Sequence, residues 1–210
     1  MIRCSFRAII LFAFLFGKLN CSPTSSCVKD PNMPGTFLYF AYGSNMLSKR
    51  IHINNPTAVQ KHIGVLKDHR LDFIWFSKRW GGCASTVVPT FGSEVWGVVW
   101  EIDLCDLPAL DWQENVQDNL YYRKNITVTT EAGENVDCYV YEQCVLPEEH
   151  VEPGSLPEDR QPSLIYLNTM INGAKEFNLP NGYIEFLKSF KHNGYNTTVE
   201  VVSILFEIFK

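Results

Sequence analysis

The chain has 210 residues, 46% hydrophobic and 20% charged, with 13 Gly and 11 Pro, enough for one sizeable core and short for two. Its 18 Lys and Arg against 23 Asp and Glu leave a net charge of -5, and no Lys/Arg-rich run tracks a phosphate backbone, which argues against nucleic acid as a partner. The 13% aromatic content excludes a disordered chain, and no segment recurs at a solenoid period.

Arg3 and Arg7 precede an apolar run from Ala8 to Gly17, followed by Lys18, Leu19, Asn20, Cys21 and Ser22. That charged, hydrophobic, small-residue order is the pattern of a secretory signal, and the run is about half the ~20 apolar residues a membrane-spanning helix needs. The expected organisation is a signal over residues 1–21, a Ser- and Pro-rich flexible lead-in over 22–35 and one domain over 36–210. Cleavage near Cys21 removes Arg3, Arg7 and Lys18, leaving 15 basic against 23 acidic residues, a net of -8. An oxidising destination permits disulfides among Cys27, Cys83, Cys105, Cys138 and Cys144, with Cys21 as a sixth if the cut falls near Gly17. No pairing follows from spacing. The sequons Asn125-Ile126-Thr127 and Asn196-Thr197-Thr198 become glycosylation sites on the same route.

Along the domain, Phe37 to Tyr42 reads as a buried aromatic strand. Gly43-Ser44-Asn45 breaks it before a short helix over Met46 to Ile51, capped by Ser44 or Asn45. Leu71–Phe76, Ala84–Val88 and Glu94–Ile102 are strand candidates, the first two separated by Gly81-Gly82, the last with Trp96, Val98 and Trp100 on one face. Asp106 and Pro108 mark a helix start; Leu104, Leu107 and Leu110, three apart, fall on its buried side, and it runs to about Glu114. Tyr121–Thr130 and Val136–Cys144 form a hairpin about Gly133, and Pro147–Pro162, with four prolines, an irregular loop. Ser163–Phe177, Gly182–Phe190 and Val199–Phe209 read as helices. Strands first and helices last imply an α+β domain on a mixed sheet or small barrel.

Several chemistries are excluded by what is missing. There is no G-x-S-x-G elbow, no G-x-x-x-x-G-K-[ST] loop, no H-E-x-x-H and no C-x-x-C pair. His52, His62, His69, His150 and His192 are scattered with no i, i+4 pair, and read as surface or capping residues. No cofactor and no metal is expected. The most distinctive segment is Tyr39-Phe40-Ala41-Tyr42-Gly43-Ser44-Asn45, where a buried strand ends in a tight turn. Its free N–H groups can hold a carboxylate or a developing oxyanion, although an ordinary turn has the same look. Ser44 is a poor nucleophile candidate because no histidine stands at a spacing that activates it.

The run Phe37-Leu38-Tyr39-Phe40-Ala41-Tyr42-Gly43-Ser44-Asn45 resembles the signature of the γ-glutamylcyclotransferases. The resemblance continues through Glu94-Val95-Trp96-Gly97-Val98-Val99-Trp100, Leu110-Asp111-Trp112-Gln113-Glu114 and Gly173-Ala174-Lys175-Glu176. It covers Thr36 to about Phe190, and the Tyr-Gly-Ser-Asn form is similar to the branch acting on γ-glutamyl amino acids rather than to the glutathione-cleaving type. It implies a small mixed β-barrel with flanking helices, and an intramolecular cyclisation in which the substrate's α-amine attacks its own γ-amide carbonyl. The products are 5-oxoproline and a free amino acid, with no enzyme nucleophile.

By the same resemblance Glu114 is the catalytic general base and acid. Tyr39, Phe40, Ala41, Tyr42, Gly43 and Ser44 form the substrate-binding loop, joined by Tyr166 and Tyr121. Without it, a glutamate ending a short helix is ordinarily a solvated charge, and Tyr121 reads equally well as a core residue. The family's usual glycine after the catalytic glutamate is replaced by Asn115, which tolerates positive φ better than most residues. The family is ordinarily cytosolic, and the signal segment departs from that. The expected partner is therefore a small γ-glutamyl peptide, with neither nucleic acid nor membrane; a homodimer stays open. Alternatives are a non-catalytic secreted binding protein on the same scaffold and a glutathione-specific cyclotransferase.

Overall fold

Five strands close into a barrel in the order β1-β3-β2-β4-β5, in a computed structural model that describes residues 35–197. The signal, the lead-in before Gly35, Cys27 and the helix expected over 199–209 lie outside the described residues. Strand β1 (Thr36–Ala41) pairs antiparallel with β3 (Gly82–Asp103) and closes the barrel by a short parallel pairing, Tyr39 opposite Tyr139, with β5 (Asn135–Gln143). Strand β2 (Val59–Ser77) pairs antiparallel with β3 on one side and β4 (Tyr121–Thr130) on the other; β4 and β5 form a hairpin. This is the mixed barrel with flanking helices that the resemblance implied, and one of the two arrangements that the order of elements left open.

The strands expected at Leu71–Phe76, Ala84–Val88 and Glu94–Ile102 are parts of one long hairpin. Its two arms bend through three register shifts, and at one of them Asp68 and Gly92 adopt φ of +56° and +78°. Such bulges let a strand wrap around a barrel without ending. Phe40, Phe73, Val87, Val98, Val128, Val140 and Leu110 are fully buried in the core, each large apolar side chain worth about 1.5–3 kcal/mol on removal from water.

Helix α1 (Ser48–Ile51) follows a 3-10 turn at Ser44–Met46. Neither Ser44 nor Asn45 caps it, contrary to expectation: the Ser48 N–H donates to Glu176 Oε2 at 3.1 Å and the Ser48 hydroxyl donates to Glu176 Oε1. Glu176 ends helix α3 (Leu164–Glu176), and a Cβ on Gly173 of that helix meets Leu47 N at 2.5 Å. The Gly173-Ala174-Lys175-Glu176 segment thus serves packing. Its glycine lets α3 press on the turn after β1, and its glutamate satisfies the start of α1.

Helix α2 (Leu107–Gln113) starts as expected, with Asp106 at its N-cap position and Pro108 in its first turn, but the Asp106 side chain makes no capping hydrogen bond. Its carboxylate instead accepts from Thr57 N and Oγ1 at 3.1 and 2.6 Å. Asp111 ties the helix to the barrel wall, accepting from Arg123 Nη1 at 2.8 and 2.7 Å and from the Tyr141 hydroxyl at 2.5 Å. Helix α4 (Asn181–Lys188) packs with α3, and Phe190 just beyond it meets Phe73 edge-on at 5.0 Å between centroids. The loop over 147–162 holds two 3-10 turns and is anchored by Arg160, which pairs with buried Asp72.

Candidate active site

The turn after β1, the end of α2, β3, the β4–β5 hairpin and α3 converge on one hollow, lined by Tyr39, Tyr42, Gly43, Ser44, Asn45, Ser85, Glu114, Tyr121, Tyr141 and Tyr166. It holds about 290 Å³ of atom-free space, part of it open to solvent. Glu114 stands at the C-cap of α2. Its Oε1 accepts from Asn45 Nδ2 at 2.9 Å and from Gln113 Nε2 at 3.2 Å, whereas Oε2 has no protein partner among the described residues.

Behind this carboxylate the amides form a chain. Gln113 Nε2 donates to Asn45 Oδ1 at 2.9 Å, and Gln113 Oε1 accepts from Arg50 Nη1 at 3.0 Å and Asn54 Nδ2 at 2.8 Å. Asn45 Nδ2 also donates to the Tyr39 hydroxyl at 3.1 Å, and Trp100 Nε1 donates to Asn45 O at 3.1 Å. Each amide is thereby held in one orientation, with donors turned to the acid, the Asn45 acceptor to Gln113 and the Gln113 acceptor to the arginine.

Burial pushes the Glu114 carboxyl above its ordinary pKa. The nearby Arg50 charge, the hydrogen bonds from Gln113 and Asn45, and the Arg79 charge pull the other way. Burial also raises the phenols of Tyr39, Tyr42, Tyr121 and Tyr166, so they stand as neutral hydroxyls at physiological pH.

The loop residues divide into two groups. Tyr39, Tyr42, Gly43 and Ser44 face the hollow, and the Gly43 and Ser44 N–H groups have no partner among the described residues. Phe40 and Ala41 are fully buried and do not line it. Phe40 packs in the core with its ring 6.4 Å from that of Tyr42, between centroids. A Cβ on Gly43 sits 2.7 Å from Ser85 Oγ and 3.1 Å from the Tyr166 hydroxyl, so glycine keeps this corner open.

Tyr121 lines the hollow with its hydroxyl committed, donating to Ser85 O at 2.7 Å and accepting from Gln143 Nε2 at 2.8 Å. The Tyr166 hydroxyl is 2.9 Å from Ser85 Oγ and accepts from Ser85 N at 3.2 Å. Ser85, Tyr141 and the partnership of Asn45 and Gln113 with Glu114 escaped the sequence reading. Asn45 and Gln113 lay inside the quoted motifs, and that was the available signal.

A larger groove, about 910 Å³ of atom-free space, runs outside the barrel past Phe37, Leu38, Asn125 and Tyr139. Its acid Asp137 is taken by the Thr127 hydroxyl at 2.6 Å, and the Cys138 thiol is pushed up to about 12 by burial and Asp137, so it offers no ready acid, base or nucleophile. Among the described residues no three His, Cys, Asp or Glu side chains gather as a metal site. No described helix is long and apolar enough to cross a membrane.

Residues 94–187 match the AIG2-like family. The γ-glutamylcyclotransferase of Mus musculus is 39% identical over 177 residues, 82% of this chain and 88% of that protein. The Homo sapiens protein of the same name is 38% identical over 181 residues, 83% and 90% of the two chains. A solved γ-glutamyl cyclotransferase structure superposes with a TM-score of 0.70 at 35% identity, covering 82% of this chain and 99% of that one. The chain belongs to the γ-glutamylcyclotransferase family.

Asn115, which the resemblance set against a glycine, follows Glu114 directly. The residue adopts φ +52° and ψ +42°, the left-handed conformation that glycine takes freely and asparagine tolerates best among other residues. The bend after Glu114 is therefore made without glycine.

Proposed function

We propose that this γ-glutamylcyclotransferase family member converts γ-glutamyl amino acids to 5-oxoproline and a free amino acid, with Glu114 as the proton carrier. The observation that carries the reading is the asymmetry of Glu114: Oε1 is pinned by Asn45 and Gln113, while Oε2 is free beside the hollow that the Gly43 and Ser44 amides also face. A substrate whose α-ammonium meets Oε2 loses a proton to it. The freed amine attacks the γ-carbonyl and sheds a second proton, the C–N bond to the leaving residue breaks, and both protons end on that nitrogen, the first returned by Glu114, so the amino acid departs as an ammonium. The raised pKa of Glu114 suits both transfers, because a base poised nearer the working pH also serves as the acid.

Most of the rate on this reading comes from folding the substrate into attack geometry. Well-oriented intramolecular reactions reach effective molarities of ~10⁵ M or more. The free amides of Gly43 and Ser44 are the natural donors to the carbonyl oxygen as it gains charge. The phenols of Tyr39 and Tyr166 restrict the chain of the glutamyl group. Turnover of γ-glutamyl-alanine to 5-oxoproline by the wild type, abolished in Glu114→Gln, is the expected result. Equal product from both proteins rejects the role of Glu114, and binding without turnover favours the non-catalytic alternative. Faster release of cysteinylglycine from glutathione moves the protein to the glutathione-specific branch.

We further propose that the protein is exported. The signal pattern supports this, as does the exposure of both sequon asparagines, Asn125 on β4 and Asn196 after α4. Expression in a secretory cell followed by glycosidase treatment of the medium tests it. A mass shift in secreted protein is expected, and retention of unmodified protein in the cytosol counts against export.

A further inference from the structure

Arg79 lies in the turn between β2 and β3, and that turn is clamped. The N–H groups of Trp80 and Gly81 donate to Ser77 O at 3.1 and 2.8 Å, and Asn193 Nδ2 donates to Gly81 O at 2.7 Å. The Trp80 ring packs edge-on against Tyr166 with 4.9 Å between centroids, and Tyr166 lines the hollow. Arg79 is thus presented beside the site from a fixed backbone, half-buried rather than waving in solvent.

The other described arginines all have side-chain partners: Arg50 has Gln113, Arg70 and Arg160 have Asp72, and Arg123 has Asp111. Arg79 alone among them makes no hydrogen bond and no ion pair. Its charge nevertheless acts on both Glu114 and Arg50, and it adjoins Trp80, which packs on the hollow's Tyr166, without itself lining the hollow. A partly desolvated guanidinium with no partner is an unmet demand for an anion, and its planar fork fits a carboxylate with two hydrogen bonds.

A γ-glutamyl amino acid carries one ammonium and two carboxylates. Glu114 answers the ammonium and the free amides of the turn after β1 answer the glutamyl end. The carboxylate of the departing residue has no cation there, because Arg50 is buried behind Gln113. We infer that Arg79 forms a carboxylate subsite for the leaving amino acid, selecting substrates that end in a free α-carboxylate beside the scissile amide. This rests on the reading of the hollow as a γ-glutamyl site. Arg79 follows no motif quoted from the sequence and belongs to a turn rather than to any strand or helix.

The test separates this subsite from catalysis by using equilibrium binding. Calorimetry on Glu114→Gln protein, which holds ligand without consuming it, compares γ-glutamyl-alanine with γ-glutamyl-alaninamide, alone and with Arg79→Met or Arg79→Lys added. The acid is expected to bind about 10- to 100-fold more tightly than the amide when Arg79 is present. Arg79→Met should bring the two within about threefold, and Arg79→Lys should keep part of the preference at an unchanged melting temperature. Equal affinities with Arg79 in place, an undiminished preference in Arg79→Met, or no binding of either ligand overturns the inference. An intact preference alongside a wild type that makes no 5-oxoproline upholds the subsite and removes the catalytic reading instead.

Discussion

Asn45 and Glu114 lie 69 positions apart in the chain, yet Asn45 Nδ2 donates to Glu114 Oε1 at 2.9 Å. The contact joins the turn after β1 to the end of α2. It converts two local motifs into one site, and it decides which carboxylate oxygen is left for chemistry.

Replacing Asn45 with alanine removes a hydrogen bond that favours the ionised acid. The Glu114 pKa, already raised by burial, then rises further. The acid limb of the kcat/KM profile is expected to move to higher pH, and kcat/KM on γ-glutamyl-alanine to fall about 10- to 100-fold, as for loss of one hydrogen bond to a charge. A pH–rate series reads both. An unmoved acid limb refutes the positioning role even if the rate falls.

Glu114→Gln is expected to abolish turnover and to stabilise the fold at neutral pH. The folded-state pKa of Glu114 lies above its unfolded value, so the native state holds this proton the more tightly. The stability it contributes is full below the unfolded value of ~4.3 and is lost as pH climbs through the raised folded value. Above that value the wild type carries a poorly solvated charge that the variant lacks. Thermal melts should show the variant ahead at pH 7, with the gap closing as the pH drops below about 4. A variant that melts lower at every pH contradicts the burial of this acid.

Gly43→Ala tests the open corner of the hollow. The new Cβ falls 2.7 Å from Ser85 Oγ and 3.1 Å from the Tyr166 hydroxyl. The backbone there, at φ -105°, suits any residue, so the clash is confined to groups that line the site. KM is expected to rise about tenfold or more, while the denaturation midpoint shifts only slightly, about 1 kcal/mol or less. A large loss of stability with unchanged KM would place the glycine's role in folding instead.

How much could be read in advance follows the range of each interaction. Strand β1, helix α2 and the β4–β5 hairpin announced themselves within a residue or two, because aromatic runs, Pro108 and Gly133 act locally. The first half of β2 did not, since Gln60, Lys61, His62, Lys67, Asp68 and His69 break the apolar pattern where it crosses a solvated stretch. Ala84–Val88 and Glu94–Ile102, expected as separate strands, are one bulged arm that continues through Pro89 and Gly92. Glu114 was legible only through its family motif, because helix-end glutamates are ordinarily solvated. Its pairing with Asn45, the floor made by Ser85, and the placing of Arg79 arise from barrel closure, which no local pattern encodes. Ser44 failed as a cap for the same reason: the helix starts only at Ser48, where Glu176, distant in the chain, takes its first N–H.

Asn115 offers the sharpest test of whether a departure from the family pattern disables the site. It holds φ +52° directly after Glu114, and its carbonyl accepts from the Asp118 and Leu120 N–H groups at 3.2 Å each, so the bend is braced from both sides. A left-handed backbone costs a residue with a Cβ about 1–2 kcal/mol, less for asparagine and nothing for glycine. Asn115→Gly is therefore expected to leave kcat within about twofold of wild type, since the bend is already made. Asn115→Val, β-branched and intolerant of this region, should lower stability by about 1–2 kcal/mol and reduce kcat by displacing the carboxylate on its N-terminal side. Denaturant midpoints and initial rates on the three proteins suffice. A glycine variant much faster than wild type would mean that asparagine holds Glu114 out of register and would revive the binding-protein alternative, whereas equal rates with a weakened valine variant show that the conformation, not the residue, is what the site requires.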